Sequence, residues 1–445
     1  MKKFREWMHG RGRNLVMFIV AVIAIGIVVH FFVVERGGHL GSGRPNPTVS
    51  PKTLEEQNIG GDSIGTADEN ATYIPGDAIS PTATPTAMPE ESTEPEAALP
   101  EKDTTTAKTQ SYQEDGQEVP YQYGSVKDDA VIRLGFAGDI CLDDTSAVMR
   151  HMRQKGSLSK VISPKLIRKM NAYDAMIINN EFSISKRGTP MAGKAYTFRS
   201  KPANVKYLKK LGVDVAGLAN NHIFDYGKAA FYDTLKYLKK AGIATVGAGK
   251  NSAQAKEPAY LTVKGKKIAI VAATRAEKYV LTPQAGKNSP GVFRTYNDRQ
   301  YVKAIKKAKK KADYVIVYVH WGTEYSTKLE QAQVQQAKDY INAGADAVVG
   351  AHTHCMQGIG YYKGVPIFYS LGNFWFNERT LYTTVLEINI SDSGKLTAKL
   401  QPCLQSGKET KLLTKPSQVK KFVKYINGIS TNGKLDKNCV VHKKK

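Results

Sequence analysis

Cysteine is scarce in this chain, and its spacing excludes one class of fold. The 445 residues contain four cysteines, Cys141, Cys355, Cys403 and Cys439. None forms a Cys-x-x-Cys pair, so the sequence does not predict a disulfide-rich scaffold. Pairing of Cys403 with Cys439, which would tie down the carboxyl-terminal tail, stays open on the sequence alone.

Acidic, lysine and arginine residues are absent from Leu15–Val34, where His30 is the only ionisable side chain. A run of this length is sufficient for a helix that spans a bilayer. Basic residues precede the run and predict a cytoplasmic segment at residues 1–14: Lys2, Lys3, Arg5, Arg11 and Arg13. A cleaved signal peptide is the alternative, but its apolar region is usually shorter, and no small-x-small cleavage site follows directly. We therefore favour an uncleaved signal anchor in the cell membrane, with the rest of the chain extracellular.

Residues 37–127 lack any sustained apolar period and are rich in Pro, Thr, Ser, Gly and Glu. Such a composition predicts a disordered extracellular stalk. The stalk carries 15 acids and 5 bases, a net charge of −10.

Acidic residues are too few to balance the remaining bases. The whole chain has a formal net charge of +24, residues 1–36 contribute +4, and residues 128–445 therefore carry +30. An extracellular domain with this charge should attract polyanions. The membrane anchor favours anionic envelope polymers over nucleic acid. The alternative is a basic protein that merely lies near an anionic cell surface.

From Val131 onward, short apolar runs alternate with amphipathic stretches. We predict strands at 132–137, 175–178, 213–218, 267–273, 314–319, 345–349, 366–369, 383–390 and 396–401, and helices at 163–170, 203–211, 228–241, 301–311 and 329–343. This alternation predicts an α/β domain over 128–412, with a mainly parallel sheet and antiparallel strands near its end. Residues 413–445 are predicted as a basic tail that is helical in part.

Polar residues typical of metal sites follow five of these strands. They are Asp139, Glu181, Asn221 with His222 and Asp225, His320, and His352 with His354. The carboxyl ends of parallel strands share one edge of a sheet, so we expect these side chains to meet there. Oxygen and imidazole ligands together suit Zn²⁺, Mn²⁺ or Fe better than Ca²⁺. Each motif also has a simpler interpretation: a turn at Gly138-Asp139, a capping cluster at Asn220-Asn221-His222, and a packed aromatic pair at His320-Trp321.

A family resemblance becomes definite when the motifs are taken in order. They are Gly138-Asp139, Asn180-Glu181, Ala219-Asn220-Asn221-His222 with Asp225-Tyr226-Gly227, His320-Trp321-Gly322 with Glu324-Tyr325, Gly350-Ala351-His352-Thr353-His354, and Ser370-Leu371-Gly372-Asn373-Phe374. This series, covering about residues 131–380, resembles the bacterial capsule-synthesis CapA family. That family is linked to poly-γ-glutamate capsules and is similar to the calcineurin-like metallophosphatases.

The resemblance implies a four-layer α/β/β/α sandwich that binds one or two divalent metal ions. Carried over by position, Asp139 and His354 would bind the first metal, and Glu181 would bridge both. Asn221, His320 and His352 would bind the second. The resemblance also implies a metal-bound hydroxide as nucleophile, with His222 as general acid and Asp225 orienting it.

Two departures separate this chain from the phosphatases of that superfamily. Their first motif is usually Asp-x-His, whereas this chain has Asp139-Ile140-Cys141, and Glu181 takes the bridging position in a motif unlike the usual Gly-Asp. Cys141 would then be either a thiolate ligand or a small apolar residue beneath the site, and we favour the latter.

Two functions follow as expectations. The first is a metal-dependent hydrolase acting on an anionic envelope polymer or its phosphodiester or γ-glutamyl linkages. The second is a non-catalytic polyanion-binding factor for capsule assembly or export, which would work with capsule synthase components.

Overall fold

The computed structural model describes residues 131–277 and 281–444, together with the backbone of short strands at 102–103, 111–114 and 117–120. The predicted membrane span Leu15–Val34 lies outside the described residues, as does most of the predicted stalk. Both therefore stay predictions. Among the helices that the structure describes, none combines the length and apolar character needed to cross a bilayer.

The described strands and helices alternate along the chain. The strands are β1 Lys102–Asp103, β2 Ser111–Glu114, β3 Gln117–Pro120, β4 Ile132–Ile140, β5 Ala175–Asn180, β6 Ser183–Ile184, β7 Arg199–Ser200, β8 Val215–Gly217, β9 Ala244–Val246, β10 Ala248–Gly249, β11 Ala259–Val263, β12 Lys266–Thr274, β13 Gly291–Val292, β14 Tyr314–His320, β15 Ala347–Ala351, β16 Ile359–Tyr362, β17 Val365–Phe368, β18 Asn373–Trp375, β19 Leu381–Ile390, β20 Leu396–Ser406, β21 Glu409–Leu412, β22 Gly433–Leu435 and β23 Val441–Lys443. The α-helices are α1 Ala147–Lys155, α2 Pro164–Asn171, α3 Val205–Lys210, α4 Gly227–Lys240, α5 Ser252–Lys256, α6 Arg299–Lys309, α7 Gln331–Asn342 and α8 Pro416–Ile429, and 3₁₀ turns cover Leu158–Lys160 and Pro202–Asn204.

Two large sheets form the centre of the domain. One has the strand order β1-β11-β12-β14-β15-β17-β16, and the other has β21-β20-β19-β4-β5-β8-β9 with β18 beside β4. Strands β12, β14, β15 and β17 run parallel in the first sheet, and β4, β5, β8 and β9 run parallel in the second. The antiparallel strands that the sequence predicted near the end are confirmed, because β19 pairs antiparallel with both β4 and β20.

Side chains along each strand alternate between its two faces, and this explains how the sheets stack. In β12, Ile268 and Ile270 enter the core between the two sheets, whereas Ala269 and Val271 face the helices α6 and α7. Successive strand residues point to opposite faces, so a strand covered on both sides reads as a continuous apolar run. A third cluster packs α1, α2, α3 and α4 against the outer face of the second sheet. The layers therefore run helix, sheet, sheet, helix.

Most predicted elements agree with the structure to within a few residues, but some elements were missed. The sequence did not predict α1, whose Ser146 side chain caps the helix by accepting from Met149 N at 3.2 Å. It also missed β11, which extends the first sheet beyond β12. The tail is helical in part, as predicted, and continues into a hairpin of β22 and β23.

All four cysteines are free and buried. Cys403 and Cys439 therefore do not form the pairing that the sequence left open. Cys141 lies in the apolar cluster beneath the second sheet, and burial raises the pKa of its thiol well above the usual value. Its place among apolar side chains agrees with a small apolar residue beneath the site.

Candidate metal centre

The candidate metal centre lies where strands from both sheets end. Asp139 belongs to β4 and Glu181 directly follows β5 in one sheet, whereas His320 ends β14 and His352 follows β15 in the other. The strand pattern alone indicated one edge of a parallel sheet, whereas the family resemblance implied two sheets. The structure has two sheets, and the core between them packs their parallel strands face to face, so that the carboxyl ends of both sets meet at the site.

Two glycines in the motifs permit the close packing of backbone around the site. A Cβ built on Gly138 would lie 1.8 Å from the Gly372 carbonyl oxygen, and one on Gly350 would lie 1.9 Å from the Tyr369 carbonyl oxygen. The loop that contains Gly372 thus lies directly against the strand residue before Asp139. Its backbone also accepts a hydrogen bond from Asp139 N at 3.0 Å. Only glycine allows an approach this close.

The side chains form two overlapping groups that share one carboxylate. Glu181, His320 and His352 make one group, and Asp139, Glu181 and His354 make the other; in each, one potential ligand atom per residue lies within 4.8 Å of the others. All are buried. Asn221 Oδ1 lies 2.8 Å from His320 Nε2, which places this amide beside the group of Glu181, His320 and His352. The structure therefore brings together all six residues that the sequence singled out as metal ligands.

An amide network beneath the carboxylates fixes their orientation. Asn179 Nδ2 donates to Asp139 Oδ1 at 2.8 Å and to Glu181 Oε2 at 3.0 Å. Asn220 Nδ2 donates in turn to Asn179 Oδ1 at 3.0 Å. On the other side, Asn373 Oδ1 lies 2.8 Å from His354 Nδ1. Asn220 and Asn373 belong to the sequence motifs and Asn179 does not, but no role could be predicted for any of them because their contacts join different strands.

His222 and Asp225 stand together beside the two groups. His222 Nδ1 lies 2.7 Å from Asp225 Oδ2, and both residues are buried. The Phe198 ring packs against His222 in a tilted arrangement, with centroids 4.3 Å apart. Because Nδ1 is occupied by Asp225, Nε2 is the ring nitrogen of His222 that this carboxylate does not engage.

Lys194 is a functional candidate that the sequence did not reveal. Its Nζ lies 2.7 Å from Asp225 Oδ1 and 3.1 Å from Glu277 Oε1, and it donates to the Asn221 carbonyl. Its side chain is only 8% exposed, although the flanking loop is largely exposed. Asp225 is therefore held by Lys194 on one oxygen and by His222 on the other. No local pattern around Lys194 marks it, because all of its partners are distant in sequence.

The electrostatics of the cluster favour neutral imidazoles at His320 and His352 but shift the pKa of His354 in the opposite direction. Burial lowers the pKa of His320 well below its usual value and lowers the pKa of His352 to about 3. Burial also lowers the pKa of His354, but the hydrogen bond and charge of Asp139 outweigh that effect, so its net shift is upward. Burial and then repulsion by Asp139 raise the pKa of Glu181. Neutral imidazole is the form that binds metals.

The cluster fits a divalent metal ion by a test that is independent of any family. Glu181 Oε1 and His352 Nδ1 are buried without a hydrogen-bond partner. Unsatisfied polar atoms at such depth cost free energy unless something binds them. Carboxylate, amide and imidazole donors together match the ligand preferences of Zn²⁺, Mn²⁺ or Fe. The residues present are therefore compatible with divalent metal binding.

Comparison with known proteins bears on this geometry. The sequence profile described as "Bacterial capsule synthesis protein PGA_cap" matches residues 133–378, more than half of the chain. The chain belongs to this capsule-synthesis family. The family match contains every residue of the candidate metal centre, so the resemblance seen in the motifs is confirmed.

Individual relatives of the capsule-synthesis family give the extent of the similarity. The capsule biosynthesis protein CapA of Bacillus anthracis is 38% identical over 216 residues, which cover 47% of this chain and 52% of that protein. The PGA biosynthesis protein CapA of Bacillus subtilis strain 168 is 33% identical over 270 residues, which cover 60% of this chain and 70% of that protein. The match thus spans about half of the first relative.

Similarity to solved structures is weaker. The NAD nucleotidase of Haemophilus influenzae aligns over 69% of this chain and 57% of its own, with a TM-score of 0.40 and 14% identity. Similarity at this level supports no conclusion about the activity of this chain.

Proposed function

We propose that this chain is a membrane-anchored, extracellular metal-dependent hydrolase that acts in the biosynthesis of an anionic envelope polymer of the poly-γ-glutamate type. The bond cleaved would be a phosphodiester or a γ-glutamyl linkage. One observation carries the proposal: two buried ligand groups share Glu181, and the His222–Asp225 pair stands beside them. The names of the two Bacillus relatives support the polymer class.

Each group would hold one ion. Asp139, Glu181 and His354 would hold the first, and Glu181, Asn221, His320 and His352 would hold the second. Divalent ions in such sites lower the pKa of water and polarise the group under attack. The chain's own part is to fix the ligands through the amide network of Asn179 and Asn220 and to exclude bulk water by burial.

His222 supplies the proton for the leaving group. Asp225 anchors Nδ1 and stabilises the positive charge that His222 carries when Nε2 is protonated. Burial lowers the pKa of His222, and the Asp225 hydrogen bond partly offsets this effect. A protonated imidazole in that setting transfers its proton readily, which suits a leaving oxygen or nitrogen. Lys194 holds Asp225 from the opposite side and so fixes the direction of the pair.

A polyanion-binding assembly factor is the second candidate, and charge favours it. Lys303, Lys306, Lys307 and Lys310 repeat at helical spacing on α6 and its end, and all four are exposed. We call them the α6 lysine face. Residues three and four apart lie on one side of a helix, so these charges present a single basic surface.

The purified full-length chain separates the two candidates. It is stripped with a chelator, reloaded with Zn²⁺, Mn²⁺ or Fe²⁺, and assayed for metal content, for turnover of bis(4-nitrophenyl) phosphate and for the length of poly-γ-glutamate over time. A hydrolase retains metal and either cleaves the phosphodiester or shortens the polymer. Retained metal with neither activity would refute the hydrolase, and binding of intact polymer would then support the assembly factor.

A further inference from the structure

Tyr325 and Arg379 form a stacked pair at the edge of the candidate metal centre. The Tyr325 ring lies 5.6 Å, centroid to centroid, from the ring of His354. Arg379 Cζ lies 4.0 Å from the centroid of the Tyr325 ring. Tyr325 is 40% exposed and Arg379 is exposed, whereas His354 is buried. The pair is therefore accessible to solvent, and only the Tyr325 ring separates Arg379 from the candidate metal ligand His354.

The backbone that carries Tyr325 is held in a conformation that side chains rarely adopt. Its φ is 55°, and its N–H donates to the Thr353 carbonyl at 2.7 Å. Thr353 lies between the two histidines of the Gly-Ala-His-Thr-His motif, so Tyr325 is tied directly to the metal loop. Such local strain is concentrated at ligand-binding and catalytic positions.

A single buried amide holds the segment that carries Arg379. Gln405, fully buried, accepts from Phe376 N at 2.9 Å and Asn377 N at 3.3 Å. Its Nε2 donates to Asn377 Oδ1 at 2.9 Å and to the Arg379 carbonyl at 3.1 Å. Phe376 meanwhile packs on His354 with centroids 4.4 Å apart. Arg379 is thus presented from a preorganised turn.

The guanidinium of Arg379 keeps its hydrogen-bonding edge available. Its Cζ lies over the Tyr325 ring and the side chain is exposed, and a guanidinium carries five N–H donors with which it can bind a further group. Among the described residues, no acidic side chain lies within salt-bridge distance of Arg379. The planar fork matches the two oxygens of a carboxylate or a phosphoryl group.

We propose that Arg379, stacked on Tyr325, binds an oxyanion of the substrate, carboxylate or phosphoryl, adjacent to the bond at the metal centre. The statement that the anion lies next to a bond cleaved at the metal centre rests on the proposed function, whereas the anion site itself does not. Arg379 would select anionic chains near the site of cleavage, separately from the α6 lysine face. Glu324, the exposed neighbour of Tyr325, carries a charge opposite to that of Arg379, so its replacement is a matched test of the role of charge.

Binding to the full-length, metal-loaded chain is measured by calorimetry with two probes, inorganic phosphate and γ-glutamylglutamate. Arg379→Ala should weaken at least one probe roughly 10- to 100-fold, the range for charge-assisted hydrogen bonds. Arg379→Lys should recover only part of that loss, because it keeps the charge and lacks the fork. Arg150→Ala, which removes an exposed arginine on α1, serves as the control and should bind as the unmodified chain does. Glu324→Gln removes a negative charge and should not weaken the binding of either probe; weaker binding would count against an anion site here.

The outcomes separate this inference from the proposed function. Loss of phosphate binding alone identifies a phosphoryl group, and loss of dipeptide binding alone identifies a carboxylate. Unchanged binding of both probes in Arg379→Ala would overturn the inference, even if the chain hydrolyses bis(4-nitrophenyl) phosphate. Loss of metal in Arg379→Ala would also overturn it, because Arg379 would then support the ligands. A chain without any turnover whose anion binding depends on Arg379 would refute the hydrolase and leave the anion site standing.

Discussion

Replacement of Lys194 by methionine tests whether the buried ion cluster supports the fold. Methionine keeps much of the length and apolar character of the lysine stem and removes the ammonium group. The change leaves Asp225, fully buried, and Glu277, whose side chain is 12% exposed, without their cation. Of the two ionisable side chains that contact Asp225, Lys194 and His222, only His222 would then remain.

The expected loss can be derived from the burial of the partners. Removal of one member of a buried ion pair typically costs about 3–5 kcal/mol, because it leaves an uncompensated charge. The partial exposure of Glu277 lets water solvate that carboxylate, so we expect the lower end, about 3 kcal/mol. With a urea m-value of about 3 kcal/mol/M, the unfolding midpoint should fall by roughly 1 M.

Urea unfolding of the full-length chain, followed by tryptophan fluorescence, measures this shift. Lys186→Met is the matched control, since Lys186 lies exposed in the same loop and its loss should change stability by less than about 0.5 kcal/mol. Equal midpoints for Lys194→Met and Lys186→Met would refute the argument that the ammonium compensates buried carboxylates. A second variant, Lys194→Met with Glu277→Gln, should lose less than the two single changes added together, since they share one interaction.

Three further predictions concern the candidate metal centre and the polymer. His320→Ala and His352→Ala should each lower the metal content measured by elemental analysis, because each removes one imidazole of the second site; unchanged content in both would refute the ligand assignment. His222→Ala should largely retain metal while any hydrolysis rate falls by about 10²- to 10⁴-fold, and loss of its metal would make His222 a ligand instead. Replacement of the α6 lysine face by glutamine should weaken poly-γ-glutamate binding and flatten its salt dependence, since exposed charges are screened over about 8 Å at physiological salt; binding that is insensitive to salt would contradict a charge-based attraction.

The sequence predicted the local part of the site because strand ends are local features. An apolar run followed by Asp139, Glu181, His320 or His352 marks the edge of a strand without knowledge of its neighbours. The pairing of two polar residues three positions apart, His222 and Asp225, is equally local. The assignment of these residues to a first and a second metal came from the family resemblance and not from spacing.

The sequence could not predict contacts between residues far apart in the chain. Lys194 lies in a loop with no motif, and its partner Glu277 is reached only after β12 has crossed to the other sheet. Gln405 similarly looks like an ordinary strand residue until β20 is placed against the segment 376–379. Their roles depend on three-dimensional neighbours that no window of sequence contains.

The sequence by itself determined most of the segments that form the central strands, the residues that stand at their ends, and the family to which the chain belongs. Apolar periodicity and turn residues act over a few positions, so these features can be read locally. Only the tertiary structure decided which backbone and side-chain contacts hold the ligands, such as the bonds from Asn179 to Asp139 and Glu181 and the ion pair of Lys194 with Asp225. It also decided that Arg379 stands beside His354 through Tyr325. Packing of the inter-sheet core fixes these positions, and that packing depends on residues spread over the whole domain.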